Sequence, residues 1–150
     1  MFINYETFRK LIRLKICNGG KMARYKPTES ELEILSILWD NGPSTVKFIN
    51  DKLNEKKDVG YTTTLKIMQI MFDKDLLSRE KSGRSHIYST KIKKDQTQGI
   101  LLEKILETAF AGSASKLVMQ AIGRAKTSQK EIDEIKAYLE KFERGRDGNK

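Results

Sequence analysis

The segment Val59–Lys94 reads VGYTTTLKIMQIMFDKDLLSREKSGRSHIYSTKIKK and changes from a helical to a strand pattern along its length. Apolar side chains three and four residues apart predict a helix with one buried face, formed by Leu65, Met68, Met71, Phe72 and Leu76. The hydroxyl run Thr62–Thr64 is expected to cap and begin this helix. After Leu77 the pattern predicts a short β-hairpin with Gly83 in its turn. A helix followed at once by a basic hairpin is typical of a winged helix-turn-helix.

The opposite face of the predicted helix carries groups that can hydrogen-bond to bases or phosphates. We expect Lys66 and Gln69 to read bases, because Lys matches guanine and Gln matches adenine. The residues at the helix N-terminus would meet phosphates and base edges. In the hairpin, Lys81 and His86 either reach the DNA or only solvate the surface. The predicted DNA-binding residues are Tyr61, Thr62, Thr63, Lys66, Gln69, Lys81, Arg84 and His86.

The distribution of charge also points to a polyanionic partner. The chain of 150 residues carries a net charge of +9. Residues 59–94 contain eight Lys or Arg and three Asp or Glu, whereas residues 22–58 contain six and seven. Within the residues predicted to fold as the winged helix, the excess of positive charge is therefore concentrated on the predicted helix and hairpin. This favours double-stranded DNA as the partner. The alternative is a winged-helix protein–protein adaptor without sequence-specific DNA binding.

Composition argues against catalysis, metal binding and membrane insertion. One cysteine, Cys17, and one histidine, His86, supply neither a disulfide nor a zinc ligand set. No reactive constellation or phosphate-binding loop is present, so we expect no enzyme and no cofactor. No apolar run approaches the roughly 20 residues of a membrane span. The sequence predicts a reduced, cytoplasmic protein.

The rest of the N-terminal half completes the helix-turn-helix. Thr28 is expected to cap a first helix with Glu31 as its capping-box partner, and Trp39 to belong to the core. Ser44 or Thr45 would cap a second helix. Its inward residues are predicted to be Val46, Ile49 and Leu53, and its outward residues Lys47, Asn50, Asp51 and Lys52.

The predicted organisation has four parts. Residues 1–21 form an extension that is not native or is disordered, with translation beginning at Met22. Residues 22–94 form the winged-helix DNA-binding domain, residues 95–144 a helical dimerisation domain, and residues 145–150 a frayed tail. The fold class is mainly α with a small β-hairpin wing.

The C-terminal segment predicts three helices too short to bury a stable core alone. The same helices of a second copy of the chain would cover the exposed apolar faces of these helices, which predicts a homodimer. The alternative is a helical subdomain that packs on the winged helix of its own chain. The predicted dimerisation residues are Leu101, Ile105, Phe110, Leu117, Val118, Ile122, Ile132, Ile135 and Leu139.

These motifs resemble the penicillinase-repressor family of bacterial transcription regulators, of the BlaI, MecI and CopY type. The likeness runs from Pro27 to about Phe142. It is carried by PTESELEILSILW at 27–39, GPSTV at 42–46, GYTTTL at 60–65, KDLL at 74–77, GRSHIY at 83–88, FAGS at 110–113 and SQKEIDEI at 128–135. The resemblance implies a homodimeric repressor on a dyad operator. It also implies a membrane-bound sensor metalloprotease, or its downstream protease, as the partner that relieves repression.

The sequence departs from the family pattern at three places. Asp75 stands where a turn glycine is frequent in the family. The Asn-Phe cleavage site of methicillin-resistance relatives would fall near Lys104-Ile105, and that dipeptide is absent here. Copper-responsive members carry C-terminal cysteine pairs, whereas this chain has no cysteine after Cys17, so metal sensing of that kind is not expected.

Overall fold

The structure is a computed structural model that describes residues 25–148. These residues belong to two compact units, 25–102 and 103–148. The predictions made for residues 1–21 and for a start at Met22 lie outside the described residues, as do residues 149 and 150. No helix of the described range is long and apolar enough to span a membrane.

Six helices and three strands make up the described chain. In order they are α1 (Glu29–Asn41), β1 (Ser44–Thr45), α2 (Val46–Asn54), α3 (Tyr61–Asp73), β2 (Leu77–Ser82), β3 (Ser85–Thr90), α4 (Lys94–Ala109), α5 (Ala114–Arg124) and α6 (Gln129–Asp147). The predicted fold class, mainly α with a hairpin wing and a C-terminal set of three helices, is confirmed.

The first unit is a winged helix-turn-helix. Helices α1, α2 and α3 pack on an antiparallel sheet of strand order β1-β3-β2. Strand β1 was not predicted. It pairs with β3 through Ser44 opposite Tyr88 and Thr45 opposite Ile87. The fully buried hydrophobic side chains of the core are Ile34, Leu35, Ile49, Met68, Met71, Leu76, Leu77 and Tyr88.

The helix starts follow the capping residues of the sequence. Thr28 Oγ1 accepts from the Glu31 amide at 3.2 Å, and the Glu31 carboxylate accepts from the Thr28 amide at 2.9 Å, which confirms the predicted capping box. Thr45, and not Ser44, caps α2 by accepting from the Phe48 amide at 3.2 Å. Both residues form strand β1, and the Ser44 hydroxyl donates to the Gly42 carbonyl oxygen at 2.9 Å.

Trp39 lies at the edge of the core. Its side chain is half-buried, and its indole N–H donates to the Ile92 carbonyl oxygen at 3.0 Å. The fully buried residues of α1 are Ile34 and Leu35. The bond from Trp39 ties α1 to the segment that follows the hairpin.

The second unit contains little buried surface of its own. Within residues 103–148 only Leu106 is buried, and neither α5 nor α6 contains a buried residue. Ser128 caps α6 with Glu131 as its capping-box partner. Helix α6 continues to Asp147, so residues 145–147 of the predicted tail are helical.

None of the nine predicted dimerisation residues is buried in the single chain. Exposed are Ile105, Val118, Ile122 and Leu139, and half-buried are Leu101, Phe110, Leu117, Ile132 and Ile135. Four further large side chains that the prediction left out are also exposed, namely Leu102, Met119, Tyr138 and Phe142.

Candidate nucleic-acid interface

Apart from Tyr61, the exposed residues of α3 form one continuous face. Buried on the other side are Thr64, Met68 and Met71. The exposed set is Tyr61, Thr62, Thr63, Lys66, Gln69, Ile70 and Asp73. After Tyr61, these positions recur every three or four residues, the spacing of a single helix face. Of the five residues predicted on α3 to bind DNA, Thr62, Thr63, Lys66 and Gln69 thus lie together in solvent, and Tyr61 is exposed at the first position of the helix. Their contact with DNA stays a prediction.

The start of α3 differs from the prediction that threonines cap it. The N-cap is Gly60, which has no side chain to bond the first amides. Those amides can therefore serve an anion, and the positive end of the helix dipole favours one there. Thr64 does not cap the helix, because it is the fourth residue of α3, and its side chain is fully buried. Its hydroxyl donates to the Gly60 carbonyl oxygen at 3.4 Å.

Two asparagines of α2 fix the turn that leads into α3. The Asn50 amide donates to the Val59 carbonyl oxygen at 2.8 Å and to Thr64 Oγ1 at 2.9 Å. Asn54 donates to the same carbonyl at 2.9 Å and accepts from the Val59 amide at 3.0 Å. The predicted outward position of Asn50 is therefore wrong. Polar residues look outward by pattern alone, whereas this one satisfies backbone groups of the turn.

The C-terminus of α3 ends in a Schellman motif. The Leu76 amide donates to the Met71 carbonyl at 3.0 Å, and the Asp75 amide donates to the Phe72 carbonyl at 3.0 Å. Asp75 occupies the left-handed position with φ of 65°. Glycine usually fills this position because it lacks a Cβ, and aspartate is among the few other residues that adopt it at low cost.

A buried carboxylate anchors the same end of α3 to α1. Glu31 is 3% exposed and accepts from Lys74 Nζ at 2.7 Å and from the Tyr25 hydroxyl at 2.7 Å. Burial alone would raise the pKa of Glu31, but the hydrogen bonds from Lys74, the Thr28 amide and Tyr25 hold it below its ordinary value. Burial and the adjacent carboxylate raise the pKa of Tyr25. Both ends of α3 are thus fixed to its neighbours.

The wing turns at Gly83 and Arg84, between Ser82 and Ser85. Gly83 has φ of 60°, which a type II′ turn requires at its first central position. This two-residue turn places Arg84 at the exposed tip of the hairpin.

The register of the hairpin places its basic side chains on one face. Lys81 lies opposite His86, and Arg79 lies opposite Tyr88. Opposed residues of an antiparallel pair share a face, as do residues two apart on one strand. Tyr88 is buried in the core, so these basic groups are on the core-facing side of the wing. The acid of the hairpin, Glu80, is on the opposite face.

Arg79 links the wing to α3. Its Cζ atom lies 4.2 Å from the centre of the Phe72 ring, a cation–π contact. Sequence reasoning missed Arg79 as a site residue, although its alternation with Lys81 places the two on one face. Ile70 was missed because an apolar residue in a helix is first assigned to the core.

The described ion pairs do not include the cations of the candidate interface. Three basic residues of the segment 59–94 bond to acids, in the pairs Lys74–Glu31, Lys91–Asp75 and Lys94–Asp40. Lys66, Lys81 and Arg84 form no ion pair with any residue between 25 and 148. Their charge is available to a polyanion. Residues 25–148 contain no cluster of three or more His, Cys, Asp or Glu side chains that could bind a metal ion.

Comparison with known proteins gives a family match over most of the chain. A family model described as "Penicillinase repressor" matches residues 27–141. The penicillinase repressor of Staphylococcus aureus is 23% identical over 110 residues, which cover 73% of this chain and 87% of that protein. The transcriptional regulator BlaI of Mycobacterium tuberculosis is 24% identical over 117 residues, which cover 77% and 83%.

Two solved structures resemble the chain at low identity. Monomeric BlaI of Bacillus licheniformis in complex with the blaP half-operator is 18% identical, with a TM-score of 0.43, and covers 48% of this chain and 88% of that one. A MarR family protein from Bacillus stearothermophilus is also 18% identical, with a TM-score of 0.45, and covers 96% and 98%.

Proposed function

The chain belongs to the penicillinase repressor family, and we propose that this DNA-binding transcriptional repressor acts as a homodimer on an operator with two half-sites. The observation that carries the proposal is the solvent face of α3. There, Lys66 and Gln69 lie beside Thr62 and Thr63 in solvent, and Lys66 forms no ion pair with another described residue.

In the proposed complex, α3 enters the major groove. Lys66 and Gln69 lie one turn into the helix, where they would hydrogen-bond to base edges. Tyr61, Thr62 and Thr63 at the uncapped N-terminus would bind a phosphate and the adjoining base edges. This division fits the general rule that phosphate contacts position a protein while base contacts specify the sequence.

The wing supplies the second contact. Arg84 at the tip would reach the DNA backbone or the adjoining minor groove, with Lys81 and His86 on the face below it. The charges of Arg84 and Lys81 would add affinity but little sequence preference. The predicted separation of roles is testable, because loss of a phosphate contact changes the salt dependence of binding.

The apolar surface of the C-terminal helices supports the homodimer. Helices α5 and α6 bury no residue in the single chain and expose Val118, Ile122, Leu139 and Phe142. A second copy of the same surface would cover these side chains by two-fold symmetry. Two α3 helices related by that axis would then meet half-sites about one helical turn of DNA apart.

We also propose that a signal relieves repression, and the family resemblance favours proteolysis triggered by a membrane sensor metalloprotease. Lys104-Ile105, where the cut of the methicillin-resistance relatives would fall, is exposed but lies inside α4. Cleavage there would require α4 to unfold locally, because a helical bond is not accessible as an extended strand. A different cleavage position is the other route to the same relief.

The proposal is tested by selecting a binding duplex from a random library and measuring affinity across a salt series. A repressor of this kind should yield a duplex with dyad symmetry, and log K should fall linearly with log salt, by about 0.9 per neutralised phosphate. A protein–protein adaptor would yield no enriched sequence and show no steep loss with salt.

The dimer surface is tested with a matched pair of substitutions on α6. Leu139→Gln removes an apolar side chain that is 53% exposed, so the single chain should fold as before. Lys141→Gln makes the same new residue at a neighbouring exposed position. Sedimentation equilibrium should show weaker dimerisation for Leu139→Gln alone; equal dimerisation in both variants would reject this surface.

A further inference from the structure

Ile70 interrupts the polar face of α3. The residue is 41% exposed. Among the residues of α3, all of which the structure describes, only Ile70 and Tyr61 at the first position are large hydrophobic residues exposed to solvent. Single exposed aliphatic side chains are common on proteins. The position of Ile70 among groups that face the proposed DNA is what singles it out.

Helix geometry places Ile70 inside that face and not at its margin. At 3.6 residues per turn, Ile70 is rotated by about 40° from Lys66 and by about 20° from Thr63 around the axis. Gln69, its neighbour in sequence, falls on the other side of Lys66. Ile70 is thus flanked by side chains that would contact the same groove.

The chemistry of Ile70 limits what it can recognise. Its side chain has no hydrogen-bond donor or acceptor, so it cannot read the polar edges that Lys66 and Gln69 would read. The major groove presents one apolar group, the 5-methyl of thymine, which aliphatic side chains contact. Against that methyl group, an exposed isoleucine would exclude water from both apolar surfaces.

We propose that Ile70 is a specificity-determining residue that reads the 5-methyl group of one thymine in each half-site. The proposal rests on the proposed binding of α3 in the major groove. Ile70 lies about 6 Å from Lys66 along the helix axis, since each residue rises about 1.5 Å.

The test uses the duplex selected by the full chain and replaces its thymines with deoxyuridine, one in each half-site at a time. Deoxyuridine lacks the methyl group and keeps the pairing edge. For the wild-type protein we expect about a threefold to fivefold loss of affinity per half-site at one thymine, the loss that one unburied methyl group implies. For Ile70→Ala that thymine should become insensitive, and Ile70→Val should keep part of the sensitivity.

Phe48→Ala provides the control, because Phe48 is similarly exposed, at 39%, but belongs to α2. This variant should retain the wild-type response to deoxyuridine. The inference is overturned if no thymine is sensitive, or if Ile70→Ala keeps the full sensitivity. Failure to select any duplex would instead overturn the proposed DNA binding itself, so the two failures are distinguishable.

Discussion

The side-chain amide of Asn50 donates a hydrogen bond of 2.9 Å to the hydroxyl of the fully buried Thr64. This bond joins the middle of α2 to the first turn of α3, and the same amide holds the Val59 carbonyl oxygen of the intervening turn. Because no side chain caps α3, its orientation depends on such contacts. The helix-turn-helix therefore presents α3 as a rigid unit.

Asn50→Ala should destabilise the protein by about 1–3 kcal/mol, because it removes the donor to a buried hydroxyl and to a turn carbonyl. It should also weaken operator binding, although Asn50 is not proposed to contact DNA. Urea unfolding and gel shift measure the two effects. A double-mutant cycle with Thr64→Val should show a coupling of about 1 kcal/mol; strict additivity would mean that the bond contributes nothing.

Glu31→Gln should lower stability at pH 7 by about 1–3 kcal/mol, because the bonds to Lys74 and Tyr25 lose a charged acceptor. The pKa of Glu31 is held below its ordinary value of 4.5. Its stabilisation is therefore present above that value and is lost as the pH falls through the lowered pKa. The difference between wild type and variant should shrink below about pH 4.5, where the wild-type carboxyl also becomes neutral.

The exposed capping box of α6 supplies the control for this pH series. Glu131 occupies the same capping-box position, three residues after Ser128, and the bonds from Ser128 lower its pKa as well. Because Glu131 is in solvent, Glu131→Gln should have a smaller effect at pH 7. Equal losses in the two variants would show that burial of Glu31 against α3 adds no stability.

Asp75→Gly should be more stable than Asp75→Ala by about 1 kcal/mol, because alanine pays the steric penalty of the left-handed conformation and glycine does not. Both variants lose the ion pair with Lys91 in equal measure. At Asp51, an exposed helical residue that pairs with Lys47, the order should reverse in favour of alanine by a similar amount. Urea midpoints of the four variants give the comparison.

The polar and charged residues of the interface should separate by role. Lys66→Ala and Gln69→Ala should each lose about 1–3 kcal/mol and relax the preference at one operator position, whereas Arg84→Ala should weaken all sequences alike and reduce the salt slope by about 1. Lys94→Ala removes a cation already paired with Asp40 at 3.0 Å and should change neither. Unaltered base preference in both α3 variants would mean that another element reads the operator.

Local patterns in the sequence were enough to predict the helices, the wing and the capping box of α1, whereas the predicted threonine cap of α3 was wrong. Thr28 and Ser128 each accept a hydrogen bond from the amide three residues later, so these two helix starts depend on no distant contact. Strand β1 escaped prediction because its two residues are ordered by pairing with β3, more than 40 residues away. Asn50 escaped because its partners lie across a turn, and polarity does not reveal which neighbour a side chain bonds.

The stoichiometry of the complex with the selected duplex is the decisive quantity, measured by sedimentation of the full chain with labelled DNA at several salt concentrations. We expect two chains on each duplex, with half-sites about one helical turn apart and affinity that falls steeply as salt rises. A single chain per duplex would overturn the proposed homodimer. No binding even at low salt would overturn the proposed role of α3 and the wing.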